Sequence, residues 1–282
     1  MSATNSKILA FVEVFFVSLI VLPLLILGIY GLWPGFEAWQ TQALGFPFPV
    51  FGHVVMVGVS LLALGLHRGR LADSGITFRP LRYHLDIAAA CFIPVALAGF
   101  PLGIGVDHRS WGGALVMAAV QIGLLLLLAL IVRNRPLPIG LGAAVAGILL
   151  LGSISNVPGP RPGQVMVLFM TYAVFVGFGE ETLYRGYVQS RLDEAFGKPY
   201  RFFGVAFGWG AILTALIFGL SHTGLLSWAL GLSSQVTLAW GLWTFFGGLV
   251  FSLVREKTGS ILAPALLHGP PQAIATVAML FT

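Results

Sequence analysis

Residues 165–192 read VMVLFMTYAVFVGFGEETLYRGYVQSRL, and the first half of this stretch is apolar enough to lie in lipid. Glu180, Glu181 and Arg185 sit within it. A charged side chain at the centre of a spanning helix costs roughly 2.5 to 3.5 kcal/mol, so such groups are rare and face the protein interior or a watery cavity. One helix here carries three of them. Residues four apart share a helix face, so Glu181 and Arg185 are expected to pair. Glu180 is rotated by about 100° and is left free to face another partner.

The rest of the chain sets the context. Of 282 residues, 57% are hydrophobic and 9% charged, with a mean hydropathy of +0.94. A water-soluble domain of that composition would lack polar surface to cover itself. Nine apolar stretches approach the length of about 20 helical residues that crosses a hydrocarbon core. They run near 8–32, 48–66, 85–105, 113–132, 139–155, 165–190, 204–226, 236–254 and 260–281. The runs are continuous rather than alternating, which predicts an all-α polytopic membrane helix bundle of about eight or nine transmembrane helices, not a barrel.

Charge orients the bundle. Twelve of the 15 Lys and Arg fall in the connections of one side, against Arg109 and Arg161 on the other, with Arg185 inside a span. The positive-inside rule makes the amino terminus cytoplasmic and, with nine spans, the carboxyl terminus external. That bias accounts for the formal charge of +5. No basic cluster with interleaved aromatics suggests nucleic acid. The first apolar run is too long for a signal core and is read as retained. Cys91, the single cysteine, is expected to be a small buried hydrophobe. Glu13 is deep enough to pair with a neighbouring helix, whereas Asp86 reads as interfacial.

The stretch NVPGPRPG at 156–163 marks a seam between residues 1–160, transmembrane helices without obvious chemistry, and residues 161–282, which carry the candidate site. In AILTALIFGLSHTG, Phe218 and His222 stand four apart. In SILAPALLHGPPQA, His268 and Gln272 flank Pro270 and Pro271, which are expected to break the helix. At about 1.5 Å per residue, Glu180, His222 and His268 lie roughly 18, 27 and 12 Å from the cytoplasmic ends of their spans, straddling the midplane.

These motifs resemble those of the CAAX prenyl protease and bacteriocin-processing (CPBP, ABI or Rce1-like) family. EETLYRG matches its EExxxR motif, FGLSH its FxxxH motif, and HGPPQ is similar to its closing HxxxN or HxxxD motif. The resemblance covers about residues 165–280. It implies an intramembrane endopeptidase of a prokaryotic cytoplasmic membrane, acting on a membrane-associated protein or peptide, with CAAX-type processing as one form. Glu180 would activate water with help from His222, His268 and Gln272 would stabilise the oxyanion, and Glu181, Arg185 and Phe218 would support the site. Gln272 departs from the family's Asn or Asp: its amide still donates, but it is longer by one methylene.

The residue types fit that chemistry independently. A carboxylate in a low-dielectric pocket becomes a useful base for water, an imidazole shares the proton traffic, and donors aimed at an oxyanion contribute a few kcal/mol each. Two imidazoles and a carboxylate also suit zinc, but no HExxH spacing is present, so no cofactor is expected and zinc is the alternative. The competing function is a non-catalytic scaffold, immunity factor or partner-binding protein whose polar cluster serves helix packing. His53, His67, His84 and His108 are read as lying in or near loops, outside any such motif, and are expected to be structural.

Overall fold

The computed structural model describes residues 3–46, 50–67, 71–98, 106–107, 110–134, 162–231 and 236–278. The fold is all-α apart from one short hairpin. Helices α1 (Ala3–Phe16) and α2 (Leu22–Leu32) are joined through a π-helical turn at Val17–Val21. Then come α3 (Phe36–Leu44), α4 (Val50–Leu66), α5 (Leu81–Leu97) and α6 (Trp111–Asn134). One long rod follows: α7 (Pro162–Thr171), π-helical segments Tyr172–Glu180 and Thr182–Val188, and α8 (Gln189–Phe196). Strands β1 (Tyr200–Phe202) and β2 (Val205–Phe207) lead into α9 (Trp209–Ser221), α10 (Leu225–Ala229), α11 (Leu238–Thr258) and α12 (Leu262–Ala278).

Among the described residues, three helical stretches are long and apolar enough to cross a membrane: Thr4–Leu32, Val165–Phe196 and Leu238–Thr258. Val50–Leu66, Trp111–Leu127 and Trp209–Ser221 are apolar but shorter. The expected span at 139–155 lies outside the described residues. Ile8, Leu62, Leu115 and Met166 are each at least 59% exposed, an outward apolar surface that suits lipid and not water. The chain is a membrane protein.

Several elements differ from the sequence expectation. The seventh stretch does not begin at 204, because residues 200–207 form an antiparallel hairpin pairing Tyr200 with Phe207 and Phe202 with Val205. Its two turn residues, Phe203 and Gly204, have φ of 46° and 85°, the positive pair that a tight hairpin turn demands. Helix α9 therefore starts at Trp209 and ends at Ser221, leaving His222 just beyond it. Helix α3 was not foreseen; it stops at Gly45, left-handed at φ 81°. Nor does Pro270–Pro271 break the last helix, which runs through both prolines. Gly269 precedes them and has no Cβ for the first proline ring to strike.

The long rod is the organising element. Its Tyr172–Glu180 segment packs along α12, and both π-helical segments pack on α4. Small residues set these distances, as they do where membrane helices associate without a hydrophobic drive between them. A Cβ on Gly177 would come within 2.7 Å of the Ala265 carbonyl oxygen, and one on Gly269 within 2.5 Å of that of Ala173. Helix α9 packs on α11, which contacts α6 on its other side. One core joins Val14, Leu22 and Leu64 to Leu183, Tyr187, Leu192 and Ile217; another joins Ile87, Cys91 and Phe92 to Phe251, Val254 and Leu267.

Candidate active site

Glu180 and Glu181 sit at the junction of the two π-helical segments. Such widened turns occur frequently at functional sites. Glu181 and Arg185 are fully buried and joined by an Nη1 to Oε1 hydrogen bond of 2.9 Å. Arg185 Nη2 donates to the carbonyl of Gly248 on α11 at 2.9 Å, so the guanidinium ties the rod to that helix. Its remaining faces are aromatic: the guanidinium carbon lies 4.8 Å from the Phe218 ring centroid and 5.4 Å from that of Phe251. Cation–π contacts compensate part of the desolvation of a buried cation.

His268 brings α12 to the same carboxylate. Its Nδ1 lies 2.9 Å from Glu181 Oε1, the oxygen Arg185 also binds, and its Nε2 lies 3.9 Å from Glu180 Oε2. A carboxylate oxygen can only accept, so Nδ1 carries the proton, and the ring is held against Phe251 in a stack with centroids 4.7 Å apart. Glu180 has a further neighbour on α4. Its Oε1 lies 3.5 Å from Nε2 of His53.

His53 is a residue that sequence reasoning set aside. It lies within α4, and no local spacing links it to residue 180. The contact depends on Gly179, where an added Cβ would sit 3.2 Å from His53 Cβ and 3.3 Å from Cδ2. The one signal for it was a polar side chain in the apolar run VFGHVVMVG. His67 also has a partner, Glu13, whose carboxylate takes His67 Nε2 at 2.7 Å, the Tyr187 hydroxyl at 2.8 Å and Arg191 Nε at 3.1 Å.

The end of α9 fixes His222. The last carbonyls of a helix have no intrahelical partner, and the Phe218 carbonyl is one of these. It accepts a hydrogen bond from His222 Nδ1 at 2.7 Å, which leaves the lone pair on Nε2. Phe218 itself packs on His222 with centroids 4.5 Å apart and on Tyr184 edge to face at 4.9 Å. The Tyr184 hydroxyl donates to Ser221 Oγ at 2.8 Å, joining the rod to the end of α9.

Glu180, Phe218, His222, His268 and Gln272 all line one cavity of about 340 Å³. Glu180 Oε2 has no hydrogen-bond partner among the described residues. Gln272 reaches the cavity one turn after His268. The opposite wall comes from α5, α6 and α11, so the cavity draws on both halves of the chain. Among the described residues, no three His, Cys, Asp or Glu side chains are grouped so as to hold a metal ion.

No curated protein and no solved structure matches the chain. A family model does match, over the residues that build most of this site. Residues 162–270 match the model of the type II CAAX prenyl endopeptidase Rce1-like family, a stretch that includes Glu180, Glu181, Arg185, Phe218, His222 and His268 and stops just short of Gln272.

Proposed function

We propose that the protein is an intramembrane endopeptidase that hydrolyses a peptide bond in a membrane-associated protein or peptide, using water activated by Glu180 and His222. The observation that carries this reading is one cavity lined by Glu180, whose Oε2 has no hydrogen-bond partner among the described residues, and by a His222 whose Nδ1 proton is committed to the Phe218 carbonyl. A water held between Glu180 Oε2 and His222 Nε2 meets two acceptors and no donor. It is oriented to lose a proton as it attacks. Hydroxide adds to the substrate carbonyl, Glu180 takes the proton, and the same proton passes to the leaving amine as the C–N bond breaks.

The developing oxyanion needs donors. Gln272 offers its amide N–H₂, and a His268 imidazolium would offer Nε2–H while its Nδ1–H stays on Glu181. Arg185 holds Glu181 in place, and His53 holds the other oxygen of Glu180, leaving Oε2 to face the water. The chemistry is written without a metal or other cofactor, and the amino terminus is placed on the cytoplasmic side. A non-catalytic scaffold would have no use for a carboxylate oxygen left unpartnered at the wall of a cavity.

The test is cleavage of an internally quenched peptide ending in a prenylated CAAX sequence by purified protein. Glu180→Gln keeps the shape and removes the base. It is expected to lower kcat by roughly 10²-fold or more without lowering the thermal midpoint. Full activity in that variant would overturn the mechanism.

A further inference from the structure

Helix α6 is apolar from Trp111 to Val132 except for one uncharged polar chain, Gln121. The residue is 6% exposed, lines the same cavity as Glu180, and its Oε1 is buried with no hydrogen-bond partner among the described residues. A buried polar group left unpaired costs about 1 to 3 kcal/mol. The packing makes room for it nonetheless: an added Cβ on Gly247 would come within 3.3 Å of Gln121 Nε2. Trp243, one turn before Gly247 on α11, lines the cavity too, and its Nε1 is likewise buried without a partner.

An acceptor and a donor without partners among the described residues, on two side chains that line one cavity, are complementary to a group that offers both. A peptide unit is such a group. The catalytic cavity is apolar over most of its remaining wall, with Val95, Ala96, Leu124 and Val250 among its lining residues. A substrate segment entering it must be extended for its carbonyl to be attacked. Its N–H and C=O groups then lose helical partners where no bulk water replaces them, at several kcal/mol per unsatisfied group. The protein must supply those partners.

We propose that Gln121 and Trp243 form a subsite for a main-chain peptide group of an extended substrate. The Gln121 carboxamide accepts the substrate N–H, and its own N–H₂ or Trp243 Nε1–H donates to the substrate C=O. This rests on the peptidase reading of Glu180, and it adds a binding determinant from α6, outside residues 162–270. Because the two groups are unsatisfied in the empty protein, they stabilise the bound state and not the fold.

That last point makes the subsite testable. Gln121→Leu replaces the amide with an apolar chain of similar volume, and Trp243→Phe removes the indole donor while keeping a ring. In detergent-purified protein without peptide, each variant is expected to keep the wild-type thermal midpoint or exceed it. With the quenched, farnesylated CAAX peptide as probe, KM is expected to rise about tenfold in Gln121→Leu while kcat stays within about twofold. Gln121→Met is the second choice should leucine fail to pack. A midpoint several degrees lower in both Gln121 variants would mean that the amide has a structural partner, and would overturn the proposal. So would an unchanged KM in a cleaving enzyme, which leaves the Glu180 chemistry standing. If the wild type neither cleaves the peptide nor is stabilised by it, both readings fall.

Discussion

Nδ1 of His268 lies 2.9 Å from Oε1 of Glu181, so the second carboxylate of the EExxxR motif holds an imidazole from another helix. The same oxygen binds Arg185. Glu181→Gln keeps an acceptor but removes the charge that both partners face. We expect kcat to fall by roughly tenfold or more and the thermal midpoint to drop, because Arg185 becomes a buried cation without a counter-charge. Unchanged values for both in a cleavage assay and a melt would show that the charge is dispensable.

Arg185 itself is fully buried and bound at both ends of its guanidinium. Removing one member of a buried pair costs about 3 to 5 kcal/mol. Arg185→Ala is therefore expected to reduce the yield of folded protein as well as activity. Arg185→Lys should rescue little, since an ammonium cannot span Glu181 and the Gly248 carbonyl as a planar fork does. Size-exclusion profiles and melts of the two variants check this, and a stable Arg185→Ala protein would contradict it.

Gly179 leaves the space in which His53 reaches Glu180. Gly179→Ala must displace the imidazole by a few tenths of an ångström or more, and His53→Ala removes it. Both are expected to lower kcat more than they raise KM, with the alanine at 53 costing about tenfold or more. A kinetic effect confined to KM would assign His53 to substrate binding instead.

Metal dependence separates two kinds of peptidase. With water activated by Glu180 and His222 alone, 1,10-phenanthroline should leave the cleavage rate unchanged, and zinc added to treated protein should not raise it. Loss of activity to the chelator and its return with zinc would replace the glutamate mechanism with a metal one.

What was legible in the sequence was what lies within one helix. Glu181 and Arg185 pair because they are four apart, whereas His268 and Gln272 share a face of α12 only because the helix runs on through the two prolines expected to break it. The helical class followed from apolar runs that were continuous and not alternating. The contacts that depend on distant segments were not legible. No periodicity links His53 to Gly179, or Gln121 to Gly247, and glycine in an apolar run reads as neutral until the neighbour that needs its missing side chain is known. The π-helical turns are equally silent, since they are chosen by packing and not by propensity. The late start of α9 was hidden by the apolar residues of the hairpin that precedes it.

On the peptidase reading, α5 and α6 supply part of the wall that would meet substrate, while Glu180, His222 and His268 come from the later helices. That reading lets the α5 and α6 wall differ between proteins that share the acid and the imidazoles. Grafting that wall from one such protein onto the core of another would then exchange what is cut while leaving how it is cut untouched.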